Sequence, residues 1–83
     1  MKTTELKPDN KWVLACSGSK NMLLQLLAGE AAFCISDTAP PDDSPYHYMP
    51  SGVLIPVSAP TKVWVRSTRT YKQDTLIIVS ETE

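Results

Sequence analysis

The apolar residues of this chain come in short bursts, each closed by turn chemistry, which is the rhythm of an all-β domain. Trp12-Val13-Leu14-Ala15-Cys16 stops at Ser17-Gly18-Ser19, and the run from Ala31 to Ser36 ends at Asp37. Val53-Leu54-Ile55 and Val57 form a third run, broken by Pro56, which cannot donate to a ladder and so belongs at an edge or a bulge. The segments from Lys62 to Arg66 and from Thr75 to Ser80 are rich in β-branched or aromatic residues and read as strands. Residues 21–29 are built of good helix formers, with a cap available at Ser19 or Asn21 and a closing Gly29. A helix there would be only about two turns long with little polar face, and the strand rhythm around it favours a strand. The expected fold is a compact antiparallel β-sandwich or flattened barrel of about six to seven short strands. Its expected core is Val13, Leu24, Leu26, Phe33, Ile35, Leu54, Val63, Val65, Ile77 and Val79. Residues 1–11, polar and interrupted by Pro8, read as an extended N-terminal arm ahead of a single β domain over 12–83.

Six of the seven prolines fall between Pro40 and Pro60, so residues 37–52 form a long, stiff loop. Proline fixes its own φ and biases the residue before it away from helix, which orders such a loop in advance. Tyr46, His47, Tyr48 and Met49 are too apolar for a disordered linker, so the loop reads as an ordered contact surface. Its expected protein-contact residues are Pro40, Pro41, Pro45, Tyr46, His47, Tyr48 and Met49, together with Trp64 and Arg66 from a later strand.

A chain of 83 residues supports one small core. Area scaling predicts roughly 4,900 Å² of folded surface against about 13,000 Å² unfolded. The net charge of −1 lacks the electrostatic footprint of a dedicated nucleic-acid binder. No apolar run reaches the ~18–20 residues of a membrane-spanning helix, and the N-terminus lacks the apolar core of a signal peptide. Neither nucleic acid nor membrane is therefore expected as a partner. Cys16 and Cys34 are too few for a disulfide framework and sit in no C-x-x-C pair, so both are expected as reduced, buried thiols.

The chemistry-bearing residues form no recognisable engine. His47 is the only histidine; a catalytic role needs a positioned nucleophile, and no nucleophile elbow is present. Asp37, Asp42 and Asp43 lack the ligand spacing, turn glycine and closing glutamate of a calcium loop and read as a solvated turn. No phosphate-cradling glycine motif occurs, so no metal or other cofactor and no enzymatic activity is expected. Trp64, with Arg66 and Arg69 following, offers a stacking platform for a base or a sugar. The plainer role is an aromatic at a core margin with an arginine over it. Alternation places Trp64 and Arg66 on one strand face and Val63 and Val65 on the other.

Trp12-Val-Leu-Ala-Cys-Ser-Gly-Ser is followed by a strand with a central Gln25, then by Cys34-Ile-Ser-Asp37-Thr-Ala-Pro40 and a histidine-containing loop ending at Gly52. The chain closes the series with Val63-Trp-Val-Arg66-Ser and Thr75-Leu-Ile-Ile-Val-Ser80. This order of elements, over residues 12–80, resembles the small β-rich virion proteins of tailed bacteriophages, including minor capsid and decoration (cement) proteins. The resemblance implies a structural role with no catalytic residue. The protein would bind the assembled capsid through Pro40 to Met49, Trp64 and Arg66, with the major capsid protein as partner and the virion as location. Open sheet edges on so small a domain suggest a homo-oligomer, with a trimer favoured. Two other roles fit the same residues: a tail-fibre or receptor-binding accessory module, and a small inhibitor directed at a host enzyme.

Overall fold

The computed structural model describes residues 2–68 and 75–81, which form eight strands. These are β1 (Lys2–Leu6), β2 (Val13–Cys16), β3 (Met22–Ala28), β4 (Ala31–Ile35), β5 (His47–Met49), β6 (Leu54–Val57), β7 (Val63–Ser67) and β8 (Leu76–Glu81). They make two antiparallel four-stranded sheets, in the order β1-β8-β3-β6 for the first and β2-β7-β4-β5 for the second. The expected all-β sandwich is the fold observed, with more strands than expected. The accessible surface of 5036 Å² lies close to the ~4,900 Å² that area scaling gives.

Residues 22–28 are a strand despite their helix-forming composition. The reason lies in the neighbours: β3 pairs with β8 on one side and β6 on the other, so both its backbone edges are satisfied. Leu24 and Leu26 point inward and are fully buried. A two-turn helix would satisfy neither requirement. β6 is an edge strand, and Pro56 sits in it where the sequence places it.

The core lies between the sheets. Leu24, Leu26, Ile77, Val79 and Val57 from the first sheet meet Cys16, Ala31, Met49, Val63 and Val65 from the second. Two residues expected there are elsewhere. Leu54 is 55% exposed, because β6 turns Ile55 and Val57 inward and Leu54 and Pro56 outward. Ile35 shares a row with the buried Val63 yet is 63% exposed, because β5 reaches only to Phe33 and leaves the tip of β4 paired on its β7 side alone. Val13 and Phe33 are half-buried at the core margin.

The N-terminal segment is not a free arm. Lys2 to Leu6 pair in register with Glu81 to Ile77, making β1 an outer strand of the first sheet. Its polarity suits that place, since an edge strand with charged and hydroxyl side chains discourages further pairing. Likewise residues 37–52 are not loop throughout, as β5 pairs with β4.

At one end of the sandwich a buried hydroxyl pair ties the sheets together. Thr75 Oγ1 donates to the Glu30 carbonyl at 3.1 Å and accepts from Ser67 Oγ at 2.9 Å. Gly29, with φ +82, packs against this knot: a Cβ there would lie 2.5 Å from Thr75 Oγ1. Gly52 has a similar φ of +87 but open space around it. Both Gly→Ala changes should incur the left-handed penalty of about 1 kcal/mol, and Gly29→Ala should add an overpacking cost of about 1–3 kcal/mol. Urea unfolding should therefore rank Gly29→Ala well below Gly52→Ala; equal midpoints would contradict the packing described.

Candidate functional site

The proline loop does not stand away from the domain. It folds across the outer face of the second sheet, where alternation puts Trp64 and Arg66 of β7 and Ala32 and Cys34 of β4. Trp12 Nε1 donates to the Pro41 carbonyl at 3.1 Å. The Arg66 guanidinium lies 4.9 Å from the centre of the Trp12 ring and 5.5 Å from that of Tyr46, with the two rings edge-on at 6.4 Å. Ser44 Oγ sits 3.7 Å from Cys34 Sγ, and Ser44 N donates to the Pro41 carbonyl at 3.0 Å. Trp64 Nε1 donates to the Ser36 carbonyl at 3.0 Å. A charge held between two aromatic rings contributes about 0.5–2 kcal/mol, and a buried indole bond about 1 kcal/mol. The loop is thus a lid of the chain on itself. Beneath it Ala32 is fully buried and Cys34 nearly so.

The expected contact residues divide into three groups. Pro41, Pro45, Tyr46, His47 and Tyr48 are exposed and mark a rim that runs from the loop into β5. Pro40, Trp64 and Arg66 are half-buried and serve the lid from below or beside it. Met49 is fully buried: it lies opposite Ala31 on the inward face of β5 and belongs to the core, which corrects its assignment to the surface. Arg69 lies outside the described residues.

Within the rim the two tyrosines differ. Tyr46 is 49% exposed, with the rest of its ring against Arg66 and Trp12. Tyr48 is 58% exposed on the outer face of β5, opposite Ala32, and makes no ring contact among the described residues. Between them His47 turns to the other face and stacks on Phe33 at a centroid distance of 5.2 Å. No group of three or more His, Cys, Asp or Glu side chains comes together among the described residues.

Two depressions flank this rim, and Ile35 belongs to both. One, of about 350 Å³, is lined by Cys34, Ile35, Ser44, Pro45, Tyr46 and His47. The other, of about 210 Å³, opens between the sheets and is lined mainly by Phe33, Ile35, Ile55, Val57 and Val63. The sequence reading missed Ile35 and Trp12 as parts of this surface. Nothing local marks them: Ile35 is exposed only because β5 is short, and Trp12 meets Arg66 only through the fold.

The two thiols lie on opposite sides of β7, Cys16 opposite Val63 and Cys34 opposite Trp64. Two strand spacings separate their backbones by roughly 9–10 Å, beyond the ~7 Å limit for a disulfide. Both are free and buried.

Comparison with known family models, curated proteins and solved structures finds no match to this chain.

Burial pushes the Cys16 thiol from 9.0 up to about 11, because the core disfavours the thiolate. A raised folded value means its contribution to stability is complete below about pH 9 and is lost as pH rises toward 11. In that window the wild type should lose about 1.4 kcal/mol per pH unit more than Cys16→Ala does. Parallel pH profiles in denaturant titrations of the two proteins would contradict the burial of this thiol.

Proposed function

We propose that the protein is a structural, non-catalytic subunit of a tailed-phage particle that docks on the assembled capsid as a decoration or cement protein. The observation that carries this reading is the rim of Pro45, Tyr46, His47 and Tyr48, presented on a stiff loop already pinned to its own sheet by Trp12 and Arg66. Binding orders flexible groups at a cost of about 0.5–1.5 kcal/mol per side chain, so a surface ordered beforehand keeps more of its contact energy. Tyrosine is enriched among the residues that dominate protein interfaces. The resemblance of the chain to phage virion proteins supplies the class of partner, the major capsid protein.

The mechanism is mass action. A subunit that binds only the assembled lattice stabilises it by about 2.7 kcal/mol per site at a free concentration of 100 times Kd. No reaction step is required. The tail-module reading draws on sugar stacking by Tyr46, Tyr48 and Trp64. Trp64 is half-buried with its N–H bonded to Ser36, which leaves that reading two rings rather than three.

The test uses purified particles and the isolated protein. Quantitative mass spectrometry of particles should find copies in the hundreds; a few to tens points to the tail, and none to a host-directed inhibitor. In binding assays with capsids lacking the protein, Tyr48→Ala should weaken association at least about tenfold with an unchanged melting temperature. Tyr46→Ala should weaken it too, and should also lower stability by about 0.5–2 kcal/mol through the lost contact with Arg66. Normal capsid binding by a folded Tyr48→Ala protein would remove the rim from the interface.

A further inference from the structure

The two sheets treat their outer faces differently. The second sheet has a largely apolar outer face and covers it with the chain's own loop. On the first, alternation turns Leu23, Leu54, Pro56, Leu76 and Ile78 outward, and the bulge between Leu26 and Ala28 adds Leu27. Among the described residues no segment lies across this face, and Leu54 and Leu27 are 55% and 49% exposed. An antiparallel sheet that faces water ordinarily turns polar side chains outward. Here that holds along one margin, where Thr3 and Ser80 share a hydrogen bond of 2.8 Å and Glu5 follows in the same strand, and at Gln25 of β3, which lies between Ile78 and Leu54 and reaches the Gly52 carbonyl at 3.4 Å.

We infer that the outer face of the β1-β8-β3-β6 sheet is a self-association surface, on which a second copy of this chain packs back to back about a two-fold axis. Charge is the first reason. Among the described residues Glu5 is the only charged side chain in register on this face, and it lies at the β1 margin, while Gln25 at the centre is uncharged. Two copies related by a two-fold place their apolar strands over each other and their Glu5 carboxylates at opposite rims, so nothing repels at the centre. Area is the second. Four strands about 4.8 Å apart, four to seven residues long, give a face of roughly 350 Å² in projection. Two such faces bury about 700 Å² before side-chain relief is counted, short of the ~1,000 Å² that a stable interface clears and in keeping with a weak, transient pair. The contact is therefore weak and reversible. It is isologous and makes a pair, where the sequence alone had favoured three copies. It also leaves both proline loops pointing outward on opposite sides, so a pair offers two rims. The inference does not depend on what those rims bind.

Sedimentation velocity of the full chain from roughly 5 to 500 µM spans the expected transition from monomer to dimer. Leu54→Glu places a charge in the apolar strands at an exposed edge position and should keep the protein monomeric throughout, with its circular dichroism spectrum unchanged. Leu27→Lys at the bulge provides an independent variant, should Leu54→Glu fold poorly. Tyr48→Ala, on the opposite side of the molecule, should dimerise as the wild type does. The inference is overturned if the wild type stays monomeric to the highest concentration. Folded Leu54→Glu and Leu27→Lys proteins that associate as the wild type does would overturn it equally.

Discussion

The Arg66 guanidinium held between Trp12 and Tyr46, with the Trp12 indole N–H on the Pro41 carbonyl, joins three distant parts of the chain at one point. A two-layer sandwich has one inner core and two outer faces, and among the described residues a loop lies over one of them. This contact decides which face the chain covers itself. It draws residues 37–46 over β4 and β7, buries Ala32 and Cys34, and delivers the chain to β5 with Tyr46 and Tyr48 outward. The prolines lower the entropy lost in holding the loop there. Without the contact, Ala32 and Cys34 would face water and the rim would have no fixed position.

Much of the architecture was legible from local pattern. Alternation in Val63-Trp64-Val65-Arg66 sorted core from outer face correctly, and the strand rhythm outweighed the helical propensity of residues 22–28. The errors share a cause: period two gives the side of a strand but not where its neighbours stop. Ile35 has the inward phase yet is exposed, because its potential partner strand is three residues long. Met49 looked like loop surface because nothing in its neighbourhood announced a pairing with Ala31. In Val53-Leu54-Ile55-Pro56-Val57 both phases carry apolar residues, and Val57 rather than Leu54 marks the buried one. The polar β1 escaped notice because an outer strand needs little apolar content.

The candidate surface was legible in part, for the same physical reason. Proline density and paired tyrosines located the loop, since stiffness and aromatic area are properties of composition. The role of each residue was not, since support by Trp12 and exposure of Ile35 arise only when separate strands meet. The structure thus separates a rim that is free to bind from the residues that hold it. It also sets that rim on one side of the molecule and the largely apolar outer face of the first sheet on the other.

The central claim is that the proline loop is docked on its own sheet before any partner arrives. A nuclear Overhauser spectrum of the isolated protein in dilute solution tests it most directly. Cross-peaks should link the Tyr46 ring to the Arg66 side chain and the Trp12 indole proton to Pro41. Random-coil shifts for residues 40–46 without those cross-peaks would contradict the account, because the rim would then be ordered only on binding.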